Sequence, residues 1–129
     1  MLMNPTWNAQ TAVEHARTNA RVKSTGACAR YTRQAIEAGG LTLARTTHAK
    51  DYGPSLVNAG FQVISPTPTV FEVGDVVVIS GFEGTESGHM AIYDGQRWIS
   101  DFIQTALYPG PGYRKAKPAY KIYRFPKSQ

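Results

Sequence analysis

Cysteine is nearly absent from this sequence: 129 residues carry a single one, Cys28. A lone thiol excludes a disulfide within the chain and any metal site built on several cysteine ligands. Long apolar runs are missing too, and none approaches the roughly 18 residues that a membrane-spanning helix needs. The opening stretch, MLMNPTWNAQTAVEHARTNARVK, is polar and amphipathic. It lacks the apolar core of about 7–15 residues found in secretory signals. The expectation is a chain made in the cytoplasm without a cleaved signal peptide and without membrane insertion. Acidic side chains are outnumbered, 9 against 14 Lys and Arg, for a formal charge of +5. That excess is spread over Arg17, Arg21 and Lys23, then Arg30 and Arg33, then Arg114, Lys115 and Lys117. It suits an anionic partner surface, whether nucleic acid, lipid or cell wall. No helix-turn-helix, zinc-finger or RNP signature accompanies the charge, so nucleic acid is not the expected partner. Repeats and low-complexity segments are lacking as well. With 42% apolar and 18% charged residues, the chain reads as one globular domain over residues 1–129, expected to be monomeric.

What is there begins with helices. Residues from about Ala9 to Arg21 place Ala12, Val13, Ala16 and Ala20 on one stripe. Ser24 and Thr25 offer capping hydroxyls and Gly26 frees a turn. A second helix is expected over about Ala27–Ala38, with Cys28, Tyr31, Thr32 and Ala35 at helical spacing and Gly39-Gly40 as its stop. A short helix from about Pro54 to Ala59 leads into the apolar segment Phe61–Ile64. From Pro66 the pattern turns to strands. VGDVVVIS is fully apolar at Val76–Ile79, as a strand covered on both faces would be. HMAIYDGQRWISDF reads as a hairpin around Asp94-Gly95, with a type I′ turn. YPGPGYRKAKP is expected to be irregular. AYKIYRF is expected to be a last strand, with Tyr120 and Ile122 on the side opposite Lys121, Tyr123 and Phe125. Helices first and antiparallel strands after them argue for an α+β fold.

Cys28 has two readings. It can be a small apolar filler on a helix face, since free cysteine is among the most buried residue types. It can also be a nucleophile at a helix start, where unpaired N–H groups and the dipole lower a thiol pKa and can hold an oxyanion. A nucleophile needs a base, and there are three histidines, His15, His48 and His89. His15 falls inside the first helix and is expected on the surface, and His48 falls in a loop with nothing to orient it. His89 opens a strand, and across the hairpin lies Asp101, whose carboxylate would fix the ring's tautomer. The bland readings are a solvated strand-edge histidine and a turn-forming aspartate. Asp75 and Asp94 are assigned to turns, and Trp98 and Tyr93 to the core.

In this order, STGACARYTRQAIEAGG, VGDVVVI and SGHMAIYDGQRWISDF resemble the NlpC and CHAP type of papain-like cysteine peptidases and amidases. The resemblance covers about Ser24 to Phe102. It implies a papain-like arrangement of N-terminal helices on an antiparallel sheet. It further implies a Cys28 nucleophile, a His89 base, Asp101 as third residue, and no metal or organic cofactor. The substrate implied is an amide in peptidoglycan stem peptides or cross-links. The chain departs from the family in Ala27-Cys28-Ala29, where Asp-Cys-Ser or Asn-Cys is usual, and in an aspartate as third residue where His, Asn, Gln or Glu is commoner. Small size and basic charge are similar to cell-wall amidase effectors of type VI secretion, or to a small phage lysin. The effector resemblance implies delivery to the periplasm of a target cell and a cognate immunity protein. A non-catalytic wall- or polyanion-binding module, and an acyltransferase or deamidase acting on proteins, remain alternatives.

Overall fold

A computed structural model describes residues 7–126. The first six residues of the expected amphipathic start, and residues 127–129, lie outside the described residues. The elements are α1 (Ala9–Asn19), α2 (Cys28–Ala38), a 3-10 turn (Ala49–Asp51), α3 (Gly53–Ala59), β1 (Gln62–Val63), β2 (Val76–Ile79), β3 (His89–Tyr93), β4 (Trp98–Ile99), α4 (Pro111–Ala116) and β5 (Tyr120–Arg124). The strands form one antiparallel sheet in the order β1-β5-β2-β3-β4. This is the expected α+β arrangement. Among the described residues no helix is long and apolar enough to cross a membrane.

The sheet is covered on both faces, which explains the unbroken apolar run of β2. Val76, Val78, Met90, Ile92 and Ile99 point to one face and pack against Ala12 and Val13 of α1, Ala35 and Ile36 of α2, and Leu56 of α3. Val77, Ile79, Ala91, Trp98 and Ile122 point to the other and meet Tyr113 of α4. Successive strand residues alternate between the two cores, as pleating requires. β5 lies between β1 and β2, so both Ile122 and Tyr123 are buried, one on each face. The expected alternation holds, with Tyr120 and Ile122 on the α4 side and Tyr123 and Phe125 on the side of the N-terminal helices.

Three expectations are corrected. YPGPGYRKAKP is not irregular throughout, because Pro111–Ala116 is helical. Pro111 takes the first-turn position, where a proline's fixed φ suits a helix and its missing N–H costs nothing. The buried residues of α2 are Thr32, Arg33, Ala35 and Ile36, with Cys28 and Tyr31 only half-buried. The buried stripe is thus rotated relative to the expected one. The hairpin loop is Asp94-Gly95-Gln96-Arg97, and Gly95 alone has a positive φ, 106°. A single positive φ at the first central residue is the pattern of the type II′ turn, not type I′.

The structural aspartates behave as turn chemistry suggests, with added ion pairs. Asp94 accepts from the N–H groups of Gln96 and Arg97 at 2.8 and 2.7 Å and from Arg17 of α1 at 2.9 Å. Asp75 is fully buried and receives Nε and Nη2 of Arg124, each at 2.8 Å, which ties the end of β5 to the entrance of β2.

Candidate active site

Cys28 is the first residue of α2, and the helix starts without a side-chain cap. The hydroxyls expected to cap it are used elsewhere: Thr25 donates to Asp101 at 2.9 Å, and Ser24 accepts from the Gly26 N–H at 3.4 Å. The first-turn N–H groups of α2 therefore have no side-chain acceptor. Further along the helix, the Thr32 hydroxyl donates to the Met90 carbonyl at 3.2 Å, fastening α2 to β3. The sulfur is half-buried. Burial pushes its pKa above the ordinary 9.0. Backbone groups of Met90, Ala29 and Cys28 pull the other way, and the charge of Asp101 adds to the rise. The lowered thiol pKa expected from the helix start is overridden by desolvation, so the resting sulfur is a thiol.

His89 is the first residue of β3 and is 5% exposed. Its Nε2 lies 2.7 Å from Oε1 of Gln104, a fully buried residue that the sequence reading did not single out. The Gln104 amide nitrogen donates to the carbonyls of Ala106 and Leu107 at 2.9 and 3.1 Å. Carbonyls only accept, so these two bonds fix which end of the amide faces the histidine. Gln104 Oε1 must accept, hence Nε2 carries the proton and Nδ1 keeps its lone pair. Burial lowers the His89 pKa below the ordinary 6.5, opposed by the Gln104 bond and the charge of Asp101. The ring is neutral near pH 7, with one nitrogen poised to take up a proton.

Asp101 does not reach His89. The β3–β4 register pairs Ile92 with Ile99 and Tyr93 with Trp98, and continuing it sets Met90, not His89, across from position 101. One residue of register moves a side chain to the opposite face. Met90 belongs to the core under the N-terminal helices, and Asp101 points to the same side. Its carboxylate is claimed there by the N–H groups of Thr25 and Ala27, at 2.6 and 3.2 Å, and by the Thr25 hydroxyl. Burial raises the Asp101 pKa, but those donors outweigh it and hold the carboxyl below its usual range. Asp101 is thus the anchor of the turn that presents Cys28, and its charge is felt by both Cys28 and His89.

Cys28 and His89 line one cleft of about 690 Å³. Tyr113 of α4 lines it too, its ring 5.8 Å from the His89 ring and edge-on to Phe82 at 4.9 Å. Burial, and then the neighbouring Cys28, push the Tyr113 phenol up to about 12, so it remains a donor at neutral pH. His48 bonds Ser87 at 3.0 Å and does not line the cleft. His15 is half-buried on α1 rather than exposed, and it is no part of the cleft either. Among the described residues no group of three or more His, Cys, Asp or Glu is placed to hold a metal ion.

Gly88 sets the entry of His89. It has φ +73°, and a Cβ there would strike the Ile79 carbonyl and lie 2.8 Å from the Lys50 side chain. Gly88→Ala is expected to cost about 1–3 kcal/mol from the left-handed backbone alone. The shift should also displace the His89 ring. Thermal melting and any assay of turnover should fall together; an unchanged melting temperature would show that the backbone tolerates the methyl group.

No family model and no curated protein matches the chain. Solved structures do. A chain of the native type VI effector–immunity complex Tae3–Tai3 from Ralstonia pickettii is 52% identical, with a TM-score of 0.85 over 92% of this chain and 99% of that one. The selenomethionine form of the same complex gives 54% identity and a TM-score of 0.81, over 88% of this chain and 98% of that one. Ly7917 is 20% identical with a TM-score of 0.50, over 88% of this chain and 60% of its own, a likeness of fold alone. The chain belongs to the Tae3 family of type VI effectors.

Proposed function

We propose that this protein is a cysteine amidase that hydrolyses an amide bond in peptidoglycan peptides, acting as an antibacterial effector. In this reading it is carried by a type VI secretion machine into the periplasm of a target cell and is neutralised at home by an immunity protein. Membership of the Tae3 family supports the effector role. The observation that carries the chemistry is the His89–Gln104 pair, whose geometry leaves Nδ1 unprotonated in the cleft that Cys28 lines.

Cys28 is the nucleophile, His89 the general base and then acid, and Gln104 the group that orients the imidazole. The thiol starts protonated, so attack on the carbonyl carbon is coupled to transfer of its proton to His89 Nδ1. The oxyanion is held by the uncapped N–H of Cys28, with the protonated Tyr113 phenol as second donor. The C–N bond then breaks as His89 returns the proton to the leaving amine, leaving a thioester on Cys28. Water attacks that thioester while His89 takes its proton. The acid fragment leaves, and the proton restores the thiol. Asp101 contributes by fixing the turn before α2 and by favouring the imidazolium through its charge.

The test is digestion of purified sacculi, with the released fragments identified by mass. New amine and carboxyl ends at a peptide bond are the expected products. Intact sacculi beside a deamidated or acylated protein target would move the activity to a different class.

A further inference from the structure

The cleft has a charge pattern that the proposed chemistry does not use. Three arginines are among the residues that line it, Arg30, Arg33 and Arg45, and no Asp or Glu is. Arg33 lies one turn after Ala29 on the same flank of α2. Its side chain is 7% exposed and donates through Nη1 to Glu37 Oε1 at 2.8 Å. The other oxygen of Glu37 accepts from the Leu43 N–H at 3.4 Å, tying α2 to the segment that leads to Arg45. Glu37 thereby holds two walls of the cleft in place while offsetting only one of the three charges. Arg30 and Arg45 are exposed and form no salt bridge among the described residues. Arg30 rests on the Tyr31 ring, 5.5 Å from its centre, which limits where its guanidinium can go.

Arginines on the wall of a cleft, two of them without a salt bridge among the described residues, suit an anionic group on the substrate. A planar fork of N–H donors matches a carboxylate in two-pronged fashion. From this geometry we infer that Arg45 and Arg30, backed by Arg33, form a subsite for a free carboxylate on the peptide beside the scissile amide. The subsite selects peptides carrying that acid over the same peptides in which it is a carboxamide. Arg30, Arg33 and Arg45 are specificity determinants in this assignment, which rests on the amidase reading above.

The experiment uses two synthetic stem peptides that differ only in a carboxylate or carboxamide next to the scissile bond. Binding to the Cys28→Ala protein is measured by calorimetry, and hydrolysis by the wild type is measured separately. The acid form should bind about 10- to 100-fold more tightly, the worth of hydrogen bonds to a charged group. Arg45→Gln and Arg30→Gln, both at exposed positions and so expected to keep the wild-type melting temperature, should bring that ratio toward one. Inorganic phosphate at matching concentration should fail to displace the acid peptide. Equal binding of the two peptides, a ratio unchanged in both arginine variants, or displacement by phosphate would overturn the carboxylate subsite. Selective binding of the acid form with no hydrolysis of either peptide would support the subsite while removing the amidase reading.

Discussion

Cys28→Ala is expected to release no fragments from sacculi, and His89→Ala to be nearly as inactive; each should lose at least about 10⁴-fold in kcat/KM, because in the proposed mechanism nucleophile and base act as one unit. Both variants should keep the fold. Cys28 is half-buried, so losing its sulfur leaves little cavity. His89 contributes one side-chain hydrogen bond, to Gln104. The pH dependence distinguishes this mechanism from one that starts with a preformed thiolate. With burial raising the Cys28 pKa and lowering that of His89, the active form is thiol plus neutral imidazole. The proposed mechanism requires His89 unprotonated. Burial lowers its pKa from the ordinary 6.5, so the acid limb of kcat/KM should be displaced to lower pH than for a free imidazole. Alkylation of the free enzyme by iodoacetamide should be slow at pH 6 and climb on the alkaline side. Wild-type release of fragments by Cys28→Ala would leave the polyanion-binding module as the better account, and rapid alkylation at pH 6 would point to a thiolate.

Most of the fold was legible because it rests on short-range patterns. The β-branched run Val76–Ile79 announced a strand buried on both faces, and it is one. The stripe of Ala12, Val13 and Ala16 marked the buried face of α1. What stayed hidden was set by distant partners. Nothing local tells that β5 lies between two strands, so the burial of Tyr123 could not be read from its own alternation. α4 was obscured because glycine and proline commonly mark loops, although a proline at the first helical position suits the start of a helix.

The meeting of Cys28 and His89 in one cleft was legible, and the partner of the imidazole was missed by one residue of register. Cys28 and His89 could be paired by residue type and order, but the third member depends on which face a hairpin residue occupies. Sequence placed Asp101 near position 89. The observed pairing puts it one step off, on the helix side, where backbone donors hold its charge. Gln104 could have been found by its chemistry, as an amide shortly after the hairpin's second strand, of a residue type the resembling families use. Its distance from the hairpin turn hid it, because the bridge between Ile99 and Ile103 folds the chain back and brings Gln104 to the Trp98 carbonyl at 2.8 Å.

That register distinction gives the second large effect. Gln104→Leu should lower kcat by about 10²–10⁴ with KM little changed, since an unoriented imidazole spends most of its time with the wrong nitrogen or angle toward the thiol. The Gln104 bond favours the charged ring, so removing it should also move the acid limb of the pH profile further down. Gln104→Glu should do the opposite, because a carboxylate stabilises imidazolium and raises the limb. Shifts of opposite sign in two variants at one position are not what mere loss of packing produces. Asp101→Asn is expected to act chiefly on stability, costing about 1–3 kcal/mol as acceptors for the turn before α2 are lost. The sign follows from its depressed pKa: its contribution is complete above the ordinary 3.8 and is lost as pH falls through the lower folded value. The gap in melting temperature between wild type and Asp101→Asn should therefore be widest near neutrality and close in strong acid. If Asp101→Asn instead removed catalysis at full stability while Gln104→Leu stayed within threefold of wild type, Asp101 would be the orienting group and the neutral Gln104 only a spacer behind the ring.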